Sequence, residues 1–323
     1  MKRFFFLICL TVLIGSCEQG DKKATLKDST GKLNSVLVII DNQLWSGEVG
    51  DSLRNKLASP VDGLPQQEPL LSINQTNSKA FDGFVTTARN IIIVRRDNPA
   101  YFEIKKDVYA QPQQVIYIMG QTITEIIEVL EKNTPAIIEA IKAYEIAENQ
   151  RRIAKSLLDD SKIKKKFNIS INMASAYKFI IEDDTFMWIR KELPSGNNSL
   201  LIYEVPLELI DSNPNPVEAI TAIRDSIGQK YIQGTLPDTF MVTEASYAPY
   251  QFDIILKGRK TIETKGTWEL KNDYMAGPFI NYAIRDEKNN RYLILEGFCY
   301  NPSSTKRDLM FELEAVIKSV KFL

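Results

Sequence analysis

The chain has no histidine among its 323 residues. This absence excludes catalytic triads, dyads and proton shuttles built on imidazole, and it removes the commonest protein ligand of zinc. Carboxylate chemistry, Ser–Lys pairs and oxygen-ligand metal sites stay open. No residue pattern pairs a nucleophile with a base, so we predict no catalytic residues, no metal and no cofactor, and the sequence favours a non-catalytic role without deciding it.

Cysteine is scarce, with Cys9, Cys17 and Cys299 in the whole chain. Cys9 lies in a segment that we expect to be removed, and Cys17 has the separate role given below, so Cys299 is left without a partner for an internal disulfide. Its apolar surroundings predict a buried, unreactive thiol. Without disulfides the chain depends on its core, and a chain of this length buries roughly 75% of its unfolded surface.

Neither sign of charge is in large excess, because 40 Lys and Arg residues stand against 41 Asp and Glu residues. Nucleic-acid binding depends on a strong positive field, so this balance argues against a nucleic-acid partner. Beyond the N-terminal segment, no apolar run has the length that crosses a bilayer.

The N-terminus predicts a lipoprotein signal. Lys2 and Arg3 precede an apolar stretch over residues 4–14, which is typical of a secretory signal and too short for a bilayer core of about 30 Å. Ile14-Gly15-Ser16-Cys17 resembles the lipobox of bacterial lipoproteins. We therefore expect a signal peptide over residues 1–16 and acylation of Cys17, which would attach the chain to a membrane. The alternative is an uncleaved anchor in which the cysteine is incidental.

Residues 17–33 are rich in Gly, Lys, Asp, Ser and Thr and predict a flexible tether. Glu18 follows the expected acylation site. In the sorting rule best known from enteric bacteria, Asp at that position retains a lipoprotein in the inner membrane. We therefore expect the chain to be lipid-anchored in the cell envelope, with the outer membrane favoured over the inner one.

The remaining chain predicts an α+β fold of antiparallel and mixed sheets with flanking helices, in two halves. We place the N-terminal half at residues 34–166, with a long helical region over 122–158. The C-terminal half, residues 167–323, is expected to be an antiparallel sheet with a few helices. Residues 159–166 are expected to join the two halves.

Helix boundaries follow from local signals. Thr122 and Glu125 fit a capping box, in which the hydroxyl and the carboxylate satisfy each other's backbone amides. Asn133-Thr134-Pro135 predicts an interruption, with a second helix beginning at the proline. Thr305 is predicted to cap the last helix of the chain.

Three polar residues are candidates for ligand binding, namely Glu68, Arg89 and Asn90. They lie in turn-like segments beside predicted strands, where binding residues are often found. The alternative is that they form hydrogen bonds with loop backbone.

Several stretches together resemble a family of uncharacterised lipoproteins from the Bacteroidetes, the domain-of-unknown-function family 4837. They are Val38-Ile39-Ile40-Asp41, Trp45-Ser46-Gly47-Glu48-Val49-Gly50-Asp51, Gly63-Leu64-Pro65-Gln66-Gln67-Glu68-Pro69, Ala88-Arg89-Asn90-Ile91-Ile92, Ala276-Gly277-Pro278-Phe279-Ile280-Asn281-Tyr282 and Glu296-Gly297-Phe298-Cys299-Tyr300-Asn301-Pro302. The resemblance implies a lineage and an envelope location, but no activity and no catalytic residues. Residues 168–323 are also similar to Mog1/PsbP-like domains, which are binding and assembly modules.

These observations lead to two functional hypotheses. The first is a non-catalytic, lipid-anchored envelope protein that binds or scaffolds another envelope component, with an envelope protein as its partner. The alternative is an envelope hydrolase or a small-ligand-binding domain that uses carboxylates and Arg. The alternative predicts a deep pocket with converging charged side chains and raised carboxylate pKa values.

Overall fold

The computed structural model describes residues 25–323. The predicted signal peptide and the predicted acylation site Cys17 therefore lie outside the described residues. The α+β class predicted from the sequence is confirmed, because helices cover both a mixed and an antiparallel sheet. Within the described part of the chain, no helix combines the length and the apolar character needed to cross a membrane.

The N-terminal half contains a mixed sheet and three helices. Its elements are β1 Lys27–Asp28, β2 Ser35–Ile39, α1 Asn42–Trp45, α2 Glu48–Leu57, β3 Ser72–Thr76, β4 Asn90–Arg95, β5 Tyr101–Lys106, β6 Ala110–Gln111, β7 Gln114–Met119 and α3 Ile123–Ile153.

Five of these strands form one sheet in the order β3-β2-β4-β7-β5. Neighbours run parallel except β5, which is antiparallel to β7. The central strands are almost continuous apolar runs, as expected for a sheet buried on both faces. Helices α2 and α3 cover one face, and Leu53, Ile92 and Ile137 belong to the core between them and the sheet.

Helix α3 continues through Asn133-Thr134-Pro135, so the predicted interruption there is wrong. Pro135 cannot donate to the carbonyl of Glu131, but both residues are exposed, so water can satisfy that carbonyl. The neighbouring Thr134 hydroxyl donates to the Leu130 carbonyl at 2.8 Å. A stripe of buried side chains continues past the proline and stabilises the helix through tertiary packing: Ile126, Leu130, Ile137 and Ile141.

The start of α3 matches half of the predicted capping box. The Thr122 hydroxyl accepts from the Glu125 amide at 3.1 Å. The Glu125 carboxylate accepts from the Gln121 amide at 2.7 Å, one residue earlier than the reciprocal bond predicts. Both contacts still satisfy amides at the helix start.

Residues 27–33, which the sequence assigns to the tether, lie against the N-terminal half. Strand β1 pairs in parallel with β6, and Thr30 forms a β-bridge with Ala88. The Gly31 carbonyl accepts from the Arg89 guanidinium at 3.3 Å. Composition alone could not reveal these pairings, because they satisfy backbone groups of residues that are otherwise typical of a flexible segment.

The C-terminal half contains a large antiparallel sheet with helices on both faces. Its elements are α4 Ser161–Phe167, β8 Ile169–Ser170, β9 Lys178–Asp183, β10 Phe186–Leu193, β11 Gly196–Pro206, α5 Glu208–Asp211, α6 Pro216–Tyr231, β12 Met241–Thr243, β13 Tyr250–Leu256, β14 Arg259–Leu270, β15 Ala276–Asp286, β16 Arg291–Tyr300, α7 Arg307–Ile317 and β17 Lys321–Phe322.

The main path of this sheet is β12-β14-β15-β16-β11-β10-β9, and β13 pairs with β14 beside it. On one face, Leu313 of α7 packs in a core with Ile163 and Phe167. These last two residues belong to α4, which occupies the segment that we expected to join the halves. The other face packs against α6, with Ile220 in its core.

The two halves meet along α3 and α7. Ile146 of α3 packs with Phe311 and Ala315 of α7. The Gln150 side-chain amide donates to the Ala315 carbonyl at 2.9 Å. The loop between α2 and β3 also reaches the C-terminal half, and this arrangement encloses the site described next.

Candidate functional site

A cavity of about 390 Å³ lies where the two halves meet. The loop over residues 59–71, helix α3, strands β13, β14 and β15 and helix α7 all contribute to its wall. Most of the lining is apolar and includes Leu64, Leu71, Ile138, Ile254 and Met310. Small-molecule sites in proteins usually have volumes of roughly 300–1,000 Å³ and mainly apolar walls, so this cavity has the size of a ligand site.

Strand alternation determines which side chains of β13 line the cavity. Phe252 and Ile254 are two residues apart and share the face that lines it. Ile255 lies on the opposite face and is 68% exposed. Adjacent isoleucines of one strand therefore have different surroundings, which gives a matched pair of positions for mutation.

The loop over residues 59–71 closes one side of the cavity. Gly63 has a φ of +79°, and a Cβ atom there would lie 2.8 Å from Lys265 Cβ and 3.0 Å from the Gly266 amide nitrogen. Both the left-handed backbone and the close approach to β14 require glycine at this position. The loop therefore lies directly against the sheet of the other half.

Glu68 fixes the far end of this loop to helix α7. Its carboxylate accepts from the backbone amides of Lys306 and Arg307 at 2.7 and 2.8 Å. These are orphan amides at the start of α7, where the helix dipole also favours a negative charge. The predicted cap Thr305 is therefore wrong: α7 begins at Arg307, and Glu68 of the other half caps it.

Charged side chains form the polar part of the cavity around Glu314. The Lys142 ammonium lies 2.8 Å from Glu314 Oε1, and the Lys318 ammonium pairs with the same atom. Burial alone would raise the pKa of Glu314, but Lys142, Lys318 and Lys265 hold it at about 2. Burial opposes the charge of Lys142, yet Glu314 raises the pKa of this ammonium above its ordinary value. Both groups are therefore ionised at neutral pH.

A second ion pair joins two residues of strand β14 and lies next to the Lys142–Glu314 pair. Lys265 Nζ is 3.1 Å from Glu263 Oε1, and the Tyr282 hydroxyl donates to the same oxygen at 2.7 Å. The Tyr282 oxygen is also 3.4 Å from Glu314 Oε1. Burial, together with the charges of Glu314 and Glu263, raises the pKa of Tyr282 well above its ordinary value, so the phenol stays a hydrogen-bond donor.

The pKa values of Glu314 and Cys299 do not favour proton transfer or nucleophilic attack by these two groups at neutral pH. A general acid at neutral pH needs a carboxyl pKa raised towards 7, whereas the pKa of Glu314 is lowered to about 2. Cys299 is buried, as the sequence predicts, and burial raises the pKa of its thiol to about 12. Such a thiol is not a nucleophile at neutral pH. Across residues 25–323, no group of three Asp, Glu or Cys side chains is arranged to hold a metal ion.

Arg89 and Asn90 lie away from the cavity, in a buried network around Glu145. Arg89 Nε donates to Glu145 Oε1 at 2.6 Å, and Asn90 Nδ2 donates to the same atom at 2.6 Å. The Asn34 amide donates to Glu145 Oε2 at 2.8 Å. Arg89 and Glu145 are 2% and 0% exposed, so these groups contact protein atoms rather than solvent.

The network around Glu145 lies at the end of the sheet opposite to the usual ligand-binding end. Asn90 is the first residue of β4, so the network lies at the amino ends of the parallel strands. Ligands of open α/β sheets bind beyond the carboxyl ends. In the structure, Arg89 and Asn90 thus connect the sheet to α3, while Glu68 connects the loop to α7. A binding role for these three residues stays a prediction.

The sequence did not single out the residues that line the cavity. Ile138 and Lys142 are four residues apart on α3, and Glu263 and Lys265 are two apart on β14, so each pair shares one face. That spacing was a usable signal, but it is equally typical of a solvated face. Their convergence depends on the packing of the two halves.

Two family models match the chain. One, described as a domain of unknown function (DUF4837), covers residues 156–319, a little over half of the chain. The other, also described as a domain of unknown function (DUF8532), covers residues 29–154. No curated protein matches.

Among solved structures, the human StAR-related lipid transfer protein 5 is similar over 54% of this chain and 97% of its own, with 12% identity and a TM-score of 0.20. At that TM-score the likeness supports no conclusion about this chain.

Proposed function

Since the chain belongs to the DUF4837 family, a domain of unknown function, we propose its function from the geometry of the site: a non-catalytic binding module of the cell envelope whose ligand occupies the cavity between the halves. The observation that carries the proposal is the cavity itself, with a volume of about 390 Å³ and mainly apolar walls. Its few polar groups converge from both halves, which is the usual composition of a small-ligand site.

The electrostatics of the site support binding over hydrolysis. The carboxyl groups of Glu314 and Glu263 are paired with Lys142 and Lys265. A hydrolase working through carboxylates needs at least one of them protonated, or free to take a proton, near neutral pH. The lowered pKa of Glu314, about 2, does not meet that requirement.

The envelope location is the second part of the proposal. It is supported by the charged start, the apolar stretch and the lipobox-like Ile14-Gly15-Ser16-Cys17. Acylation of Cys17 would hold the binding module at a membrane surface, and Glu18 favours the outer membrane. A Bacteroidetes lineage and a similarity of residues 168–323 to Mog1/PsbP-like binding modules agree with this role and stay part of the proposal.

Native mass spectrometry tests the binding role. The Cys17→Ala chain, purified from its own host under mild conditions, is expected to retain a small-molecule adduct. Ile254→Trp fills the cavity and is expected to lose the adduct. Ile255→Trp adds the same bulk to the exposed neighbour and is expected to keep it. An adduct retained equally by both variants would show that the ligand binds elsewhere.

A further inference from the structure

We propose that the ligand of this cavity is an uncharged, largely apolar molecule that carries a polar group such as a hydroxyl. This inference rests on the proposed function and names the ligand class for the same site. It follows from the balance of charges along the cavity wall and from the partners of each charge.

Among the described residues, the charged side chains of the lining are balanced in number. Three are basic and three are acidic: Lys142, Lys265, Arg307, Asp62, Glu263 and Glu314. The basic groups all have acidic partners, since Lys142 pairs with Glu314, Lys265 with Glu263, and Arg307 with Asp308 at 2.9 Å. The remaining acidic group, Asp62, is exposed, so the wall offers a ligand no buried charge that lacks a partner.

A charged ligand would therefore have to break one of these pairs or remain unpaired. Both alternatives are unfavourable, because Glu263 and Glu314 are each 8% exposed and a buried charge without a partner is strongly destabilising. A neutral ligand leaves both ion pairs intact and buries its apolar part against Leu71, Ile254 and Met310.

The same pairs supply donors and acceptors for a neutral polar group. The Lys142 ammonium has three N–H donors, and its pairing with Glu314 Oε1 uses one of them. Lys142, Lys318 and Tyr282 all contact the Oε1 atom of Glu314, so a ligand hydroxyl has the Oε2 atom to donate to. The site is thus complementary to a group that both donates and accepts.

Isothermal titration calorimetry with decanol, decanoate and decylamine tests this inference, because the three probes share one chain and differ in charge. The wild-type chain is expected to bind decanol most tightly. Decanol also enters any apolar phase more readily than the two ions do. The decisive readout is therefore how the affinity for each ion, relative to decanol, changes when the charge balance of the cavity is altered.

Two variants alter the balance in opposite directions. Glu263→Gln leaves Lys265 without its carboxylate, and decanoate should gain about tenfold relative to decanol. Lys265→Met leaves Glu263 without its ammonium, and decylamine should gain about tenfold relative to decanol. Glu263→Gln is the safer of the two for folding, because the Lys265 ammonium that it leaves unpaired is 17% exposed, whereas Glu263 is 8% exposed. Lys260→Met, at an exposed position of the same strand, should change neither ratio.

The outcomes separate this inference from the proposed function. If the wild type binds decanoate or decylamine more tightly than decanol, or if neither variant changes the ratios, the inference is overturned while the binding module stands. If none of the three probes binds saturably, or if Ile254→Trp binds all of them as the wild type does, the proposed function fails as well.

Discussion

Replacement of Glu68 by alanine should lower the free energy of unfolding by about 2–4 kcal/mol. The substitution leaves the first amides of α7 without the carboxylate that accepts from Lys306 and Arg307. It also weakens the attachment of the loop over residues 59–71 to α7, where the Arg307 guanidinium still donates to the Pro69 carbonyl at 2.9 Å. Glu68 is 7% exposed, so water cannot simply take the place of its carboxylate.

The magnitude follows from the two hydrogen bonds, at 2.7 and 2.8 Å. A hydrogen bond to a charged group contributes roughly 1.5–3 kcal/mol, and a negative charge at a helix start adds about 0.3–1 kcal/mol. The contributions do not add fully, because the Arg307 amide is only partly buried and can bind water in the variant. Glu68→Gln keeps one carbonyl acceptor and should lose about half as much, roughly 1–2 kcal/mol.

Urea unfolding of the Cys17→Ala chain measures these differences. Gln67→Ala is the matched control, because Gln67 is the exposed neighbour of Glu68 in the same loop. It should change stability by less than about 0.5 kcal/mol. The reasoning is refuted if Glu68→Ala is as stable as Gln67→Ala, or if Glu68→Gln and Glu68→Ala are equally destabilised.

Two further predictions concern Glu314 and Pro135. The pKa of Glu314 is about 2 in the folded chain against an ordinary 4.5. Ionised Glu314 therefore contributes about 3 kcal/mol to the free energy of unfolding above pH 4.5, and this contribution is lost as the pH falls through 2. Between pH 7 and pH 2, Glu314→Gln should therefore lose less stability than the wild type does, by that amount. An unchanged acid dependence in urea unfolding would contradict this assignment. Pro135→Ala restores a backbone donor to the Glu131 carbonyl. It should raise the free energy of unfolding, measured with urea, by about 1–3 kcal/mol. A loss of stability would show that the proline is favourable in this helix.

Local patterns determined much of the secondary structure. Strands such as β2 and β4 are apolar runs, and the hydroxyl of Thr122 caps α3 where the sequence placed a cap. The α+β class followed from these elements, because hydrophobic period and turn residues are properties of neighbouring positions. The acylation of Cys17 is also a statement about local sequence, and it stays a prediction.

Local signals failed where tertiary packing supplied the partner. Pro135 was expected to interrupt a helix, but packing of the buried stripe of α3 outweighs one lost hydrogen bond. Thr305 was expected to cap α7, but the cap comes from Glu68, which is 238 residues from Lys306 in the chain. No local pattern could reveal that pair.

The sequence by itself thus determined most of the elements, the α+β class, the absence of imidazole chemistry and the expectation of a lipid anchor. Only the tertiary structure decided what the polar residues do. Arg89 meets Glu145 across 56 residues, and Lys142 of α3 meets Glu314 of α7. The hydrophobic effect is non-directional, so it does not specify which charged groups meet. Their pairing, and whether they enclose a cavity, depends on how the two halves pack.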